Sequence, residues 1–354
     1  MSFLRLTKIS NCINLLLQIP YPHAGALSLK RIILSILITL GILFVLLHQI
    51  SLKELYALLR TIDPFWAVLG SVAYLLATLF RALRFKWLLH SKGIPFSGLF
   101  RITAFYHLSL MVLPSKLGEL SYPYLLKRIS ATNITEGLAS LIVSRVYDFF
   151  IILVVLLFVS IGFGGLFEVH PFLIILLVAL LLGFIVFALS CMSRFLRWLS
   201  NALGRISNPT GSRNVRFVRW MQQKMREMAE DFYAIKARKT YFPVSVTSLA
   251  SWVMIFFTFY AYMKGFGIDL PFTKMIFGST IGVIANALPI SGIGNWGTLE
   301  AGWAAGFLMV GLSKDKAIAT GFGVHIIIFI ICALISFFCW VTFKRQKNPS
   351  PAAS

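Results

Sequence analysis

Charge is scarce in this chain, and negative charge is scarcer still. Charged residues make up 13% of its 354 residues, with 12 Asp and Glu against 33 Lys and Arg. A soluble domain carries about 25% charge, so an ordinary water-facing surface is excluded. Cysteine is sparse too: Cys12, Cys191, Cys332 and Cys339 show no paired spacing. That excludes a disulfide framework and a structural zinc site. The six histidines form no HxxxH or HxH cluster, and no resident metal or cofactor is expected. Segments of about ten residues with strand alternation are missing, which excludes an outer-membrane barrel. Neither a nucleophile facing a donor nor an acidic cluster of the DxD type is found, so no catalytic constellation argues for an enzyme.

Apolar sequence is what the chain has in abundance. Hydrophobic residues make up 58%, in long runs such as 32–47 and 149–161. The fold class that follows is all-α, a polytopic integral membrane helix bundle. The net charge of +21 does not point to nucleic acid, which wants a basic face on a soluble domain. Here the bases sit in short loops between apolar runs, the pattern of positive-inside topology, with some attraction for anionic headgroups.

Full spans read at about 32–48, 65–85, 137–161, 171–190, 243–263 and 317–341. Residues 1–28 form an N-terminal extension, 29–345 the membrane domain and 346–354 a cytoplasmic tail. Two further apolar segments, 99–127 and 273–311, are broken. Each runs for about 14 residues, fewer than the ~20 a crossing needs, then breaks at Leu-Pro. Leu113-Pro114-Ser115-Lys116-Leu117-Gly118-Glu119 is the first break and Leu288 to Glu300 the second. Broken backbone at membrane depth must be buried in protein or line a watery cavity. Paired breaks in two halves of a chain point to a transport site.

Placing the N-terminus in the cytoplasm, with both broken segments returning to their side of entry, puts 25 Lys and Arg inside and six outside. That asymmetry favours an inner-membrane protein with both termini cytoplasmic. Arg81 and Arg84 count as inside in this tally, while Lys116 and Arg145 fall at membrane depth. Repeat 1 (about 65–161) then enters its hairpin from the cytoplasm and repeat 2 (about 243–341) from outside. They form an inverted repeat with two oppositely oriented re-entrant hairpins; the alternative is that each broken segment crosses fully as a pair of thin helices. Between the repeats, 191–242 is the one sizeable polar stretch, expected as a cytoplasmic loop with an amphipathic helix. Its turn-rich part, Arg205 to Arg213, precedes an amphipathic helix, Val215 to Ile235, able to lie on the inner leaflet, cap the bundle or dock a partner enzyme.

Few residues can carry chemistry. Glu119, Asp148 and Glu300 are the acids at membrane depth, with Lys116 and Arg145 the bases. A charge there costs about 3 kcal/mol or more, so each needs a partner or a cavity. Arg145 and Asp148 share one helix face, either as a structural ion pair or with Arg145 presenting its planar donor fork to a phosphate. Glu119 and Glu300 begin the second hairpin arms, where a carboxylate caps a helix or couples to a cation or proton. Gly118, Gly294 and Gly297 suggest backbone N–H groups open to phosphate at helix starts. Asn286 either satisfies freed carbonyls or joins the site. His107 and His325, alone on apolar faces, read as packing residues.

These motifs resemble the membrane domain of the lysylphosphatidylglycerol synthase/flippase family, which includes dolichol-phosphate-glucose-synthetase-like and hopanoid-biosynthesis-associated membrane proteins. Residues 113–119 match its LPxRxGE element, with Lys116 in place of Arg. Ser144-Arg145-Val146-Tyr147-Asp148 matches its R-x-x-D element, residues 288–300 approximate LPxxxGGxGxxE, and Leu83 to Trp87 resembles its LRxxxW. His325 stands where the family often has arginine. The resemblance covers about residues 30–343 and implies lipid handling. The aminoacyltransferase domain of some relatives is not in this sequence, which implies no aminoacyl transfer. The expected function is a flippase moving a phospholipid or polyprenyl-phosphate glycolipid between leaflets. The alternative is a non-catalytic accessory subunit of a hopanoid, glycosyltransferase or other lipid-modifying pathway, docked through 191–242.

Overall fold

A computed structural model describes residues 52–89, 93–113, 117–130, 132–161, 171–206, 214–287 and 294–347. The extension 1–28, the span 32–48, Lys116 and most of the turn-rich loop lie outside these residues. All regular structure among the described residues is helical. In chain order the helices are α1 (Leu52–Arg60), α2 (Pro64–Leu88), α3 (Phe96–Val112), α4 (Leu117–Ser130), α5 (Ile134–Ile161) and α6 (Pro171–Ile206). Then come α7 (Asn214–Ala237), α8 (Tyr241–Gly265), α9 (Phe272–Ala287), α10 (Thr298–Met309) and α11 (Lys314–Lys347).

Length and apolarity sort these helices. Four stretches are long and apolar enough to cross a membrane: Pro64–Leu88, Ile134–Val159, Tyr241–Gly265 and Lys314–Thr342. Their outward faces carry large apolar side chains such as Val68, Phe158, Phe242, Leu334 and Phe338, a pattern that suits lipid rather than water. The chain is a polytopic helical membrane protein. By contrast α3, α4, α9 and α10 have 17, 14, 16 and 12 residues. At 1.5 Å per residue they reach only about 18 to 25 Å, short of the ~30 Å hydrocarbon core.

The breaks have local causes. Asp63 starts α2 by accepting a hydrogen bond from Phe65 N–H at 2.8 Å, with Pro64 at the first helical position, where a missing N–H costs nothing. Pro114 follows the extended Leu113 that ends α3, because the residue before proline avoids helical backbone. α3 and α4 then pack on each other, as do α9 and α10, giving two helical hairpins. In the second, Gly278 and Gly282 face Gly302 and Gly306. A Cβ on Gly302 would stand 2.2 Å from the Ala285 Cβ, and one on Gly306 would stand 2.4 Å from the Gly278 carbonyl oxygen. Small residues four apart let the two backbones touch.

The packing pattern is unchanged when α2–α5 is exchanged with α8–α11. Helices α2 and α8 form the central pair. The last helix of each unit packs on the first hairpin arm of the other, α5 on α9 and α11 on α3. Two apolar clusters result, one around Phe259, Tyr262, Trp303 and Phe307, the other around Phe85, Tyr106 and Tyr122.

Two expectations are corrected here. Arg81 and Arg84 are not cytoplasmic loop residues; α2 continues through them, and Arg84 is 3% exposed inside the bundle. Removing both from the inner tally leaves the charge asymmetry intact. The polar stretch beginning at 191 is not a loop at its start, because α6 runs on to Ile206. The amphipathic helix forms as expected, and it packs on α6 and α5. Ala229, Phe232 and Ile235 are buried against the base of the bundle.

Candidate functional site: a charged cavity between the hairpins

Between the two apolar clusters lies a cavity of about 370 Å³. Its walls come from α2, α3, α4, α5, α8, α9 and α11, together with Asn295 and Leu299 from the second break and the helix after it. Both hairpins and both units therefore contribute.

Asp148 on α5 is its anchor. Arg84 from α2 grips the carboxylate with both terminal nitrogens, Nη1 to Oδ1 at 2.6 Å and Nη2 to Oδ2 at 3.3 Å. Trp252 Nε1 on α8 donates to Oδ1 at 2.8 Å, and Arg145 Nη1 lies 3.6 Å from Oδ2. One carboxylate thus joins three helices from both units. A planar fork on a carboxylate is among the stronger polar contacts available, and it satisfies charges that could not survive alone in an apolar bundle.

Arg145 points from the same helix face into the cavity, one turn before Asp148. Its Nη2 donates to the Tyr106 hydroxyl at 2.5 Å and lies 3.3 Å from Glu119 Oε1. It is shared among three acceptors and a third exposed at the side chain. Its buried Nε–H, like that of Arg84, has no partner among the described residues. Arg81, one turn before Arg84, donates from Nη1 to His107 Nε2 at 3.4 Å. No carboxylate lies within ion-pairing distance of Arg81 among the described residues. The lining thus holds three arginines against the two carboxylates Glu119 and Asp148.

The far wall is built by the second break. Glu300, fully buried in the first turn of α10, accepts the Gly297 N–H at 2.7 Å through Oε2. Its Oε1 lies 2.5 Å from His325 Nδ1 on α11. The His325 ring stacks on Trp296, with centroids 4.0 Å apart and planes at 17°. Asn295 and Gly297 both have positive φ, 63° and 86°, which glycine adopts freely and asparagine tolerates. The two breaks touch: Gly294 N–H donates to the Leu113 carbonyl at 3.3 Å.

Of the residues expected at the site, Glu119, Arg145, Asp148 and Asn286 line the cavity. Gly294 and Gly297 do not present open N–H groups to an anion. Gly297 N–H is held by Glu300 and Gly294 N–H by Leu113. Gly118 is buried where a Cβ would meet Ser109 and Leu110 backbone at 2.7 Å, so its role is close packing of α4 on α3. Glu300 does not line the cavity; it contacts His325, which does. Arg145 and Asp148 are both an ion pair and a pair of cavity walls. Sequence reasoning missed Arg81, Arg84 and Trp252 as site residues, and it read His107 and His325 as packing. A signal for two of these existed. Tyr74, Ala77, Arg81 and Arg84 are spaced three and four apart, so both arginines share a face with buried α2 residues.

Comparison with known families bears on this arrangement. A family profile described as the lysylphosphatidylglycerol synthase TM region matches residues 32–336. The chain belongs to that family. The matched stretch contains both hairpins, the α2 arginines and every cavity residue named above. Lysylphosphatidylglycerol synthase TM regions are parts of lipid-related membrane proteins, and that is the class in which this chain falls. No curated protein matches the chain.

Proposed function

We propose that the protein moves a phosphate-bearing lipid, a phospholipid or a polyprenyl-linked glycolipid, between the leaflets of the inner membrane. The observation that carries this reading is the cavity's charge. Three arginines against two carboxylates, in an apolar bundle, favour an anionic guest. Arg81 supplies an uncommitted guanidinium. The Arg145 guanidinium, a third exposed at the side chain, supplies further donors toward a phosphate. Glu119 already holds one edge of Arg145, so a phosphate arriving there competes with it and loosens α4 from α5. Re-entrant hairpins in opposite orientations, one per unit, would let the units rock and open the cavity to each leaflet in turn. His325 at the wall is held by the buried Glu300 carboxylate, so that pair would couple α10 to α11 during that motion.

The test is leaflet exchange of labelled phosphatidylglycerol and of a short polyprenyl phosphate in liposomes holding the purified protein. Wild type is expected to speed exchange of at least one of them. The Glu119→Gln/Glu300→Gln double variant is expected to slow that exchange at least tenfold, about 1.4 kcal/mol of barrier. Exchange of both lipids at the rate of protein-free liposomes would overturn the transport reading. Unchanged exchange in the double variant would overturn the role of the two acids.

A further inference from the structure

A second group of uncommitted cations lies away from the cavity, where α6 leaves the bundle. With 36 residues, α6 is about 54 Å long, well beyond the ~30 Å hydrocarbon core. Met192 and Leu196 still pack against the cluster that holds Leu88 and Leu89 at the end of α2. The helix therefore emerges near this level. Two adjoining hollows of about 470 Å³ each, sharing Arg197, Asn201 and Tyr233, make up one cleft there between α6 and α7. Arg194, Arg197, Arg226 and Lys236 line it, with Trp198 and Tyr233 at the rim.

The chemistry of this cleft is one-sided. None of the four cations lies within ion-pairing distance of a carboxylate among the described residues, and Glu230 is the one acid in the lining. The guanidinium of Arg197 sits 5.7 Å from the Tyr233 ring centroid, and Arg226 Nε donates to Ser200 Oγ at 3.2 Å. These contacts hold the two guanidinium groups without neutralising them. Trp198 is 64% exposed and Tyr233 58%. Exposed Trp and Tyr at the end of a membrane helix belong in the headgroup layer, where an apolar ring and a polar edge are both accommodated. Arginines at that depth reach the phosphate plane with their stems along apolar surface.

We infer that this cleft binds the phosphate headgroup of an anionic phospholipid in the leaflet where α6 emerges. Cations alone would also suit a soluble phosphate; the exposed aromatic rim beside them is what favours a lipid. The cleft shares no residue with the central cavity, and this assignment does not depend on transport.

Native mass spectrometry of the delipidated full-length protein tests it, with phosphatidylglycerol or phosphatidylcholine added back. Wild type is expected to retain phosphatidylglycerol at least fivefold over phosphatidylcholine. Because the central cavity is also a candidate lipid site, the readout is the number of phosphatidylglycerol molecules kept per chain. The Arg194→Gln/Arg197→Gln/Arg226→Gln variant is expected to keep one fewer, and the corresponding triple-lysine variant to keep the wild-type number. An unchanged number in the glutamine variant overturns the inference. So does displacement of the lipid by millimolar glycerol 3-phosphate, which would make the cleft a site for soluble phosphate. If the glutamine variant does not fold, Arg197→Gln alone replaces it, with at least a threefold loss of the same lipid expected.

Discussion

Two arginines one turn apart on α2 have opposite commitments. Arg84 is closed onto Asp148 by two bonds and is nearly sealed from solvent, whereas Arg81 faces the cavity with a single long hydrogen bond, to His107, among the described residues. Removing one partner of a buried pair strands the other charge, at a cost of about 3 kcal/mol or more. Asp148→Asn is therefore expected to lower stability by about that amount in detergent unfolding, with Arg84→Met/Asp148→Leu recovering a good part of it. Arg81→Gln strands no carboxylate. It is expected to leave the unfolding midpoint nearly unchanged and to slow lipid exchange at least tenfold. Equal destabilisation by Arg81→Gln and Asp148→Asn would show that the division between a closed and an open arginine is wrong. Composition alone hid this division, because a charge count treats every basic residue near a helix end as a loop residue. The acids were easier to find. The spans read from sequence left only three at membrane depth, and two of them, Glu119 and Asp148, line the cavity; Glu136, buried at the start of α5, escaped that reading.

Among the elements, the second hairpin is the one most tightly specified by its own sequence. Gly278, Gly282, Gly302 and Gly306 set the distance between α9 and α10, and each added Cβ there meets a neighbouring atom at 3.2 Å or closer. Overfilling a packed seam costs about 1 to 3 kcal/mol. Gly302→Val is expected to destabilise by about 2 kcal/mol or more, read as a lower unfolding midpoint in detergent. Gly183→Ala on α6, where an added Cβ meets nothing within 4 Å, is expected to change stability by less than about 0.5 kcal/mol. The spans at 65–85, 137–161, 243–263 and 317–341 could be read from apolar run length, because lipid demands an uninterrupted helix. The fate of α6 past residue 190 could not. Polarity rises there while the backbone stays helical, and it is the partner helix α7 that makes the extension worthwhile by burying Phe232 and Ile235. The helix-capping role open to Glu300 from its place in the sequence was legible, and its carboxylate takes the Gly297 N–H three residues back.

At the scale of the molecule, the exchange symmetry of packing agrees with the two units inferred from the paired Leu-Pro breaks. Which membrane face each hairpin enters from is open to direct measurement. In a variant lacking Cys12, Cys191, Cys332 and Cys339, single cysteines replace exposed residues at the hairpin ends. Ser97→Cys and Lys127→Cys are expected to react with an impermeant maleimide from one side of the membrane, and Thr273→Cys and Lys314→Cys from the other. Labelling of the two members of either pair from opposite sides would mean that the hairpin arms cross separately, and the re-entrant reading would fall. The bonds around Asp148 have a mechanical consequence as well. Because Asp148 and Arg84 belong to one unit while Trp252 and Ser248 belong to the other, the proposed rocking would carry the ion pair as one piece and part it from α8. The hydrogen bond from Gly294 to Leu113 also crosses between the units, so the same rocking would have to release it.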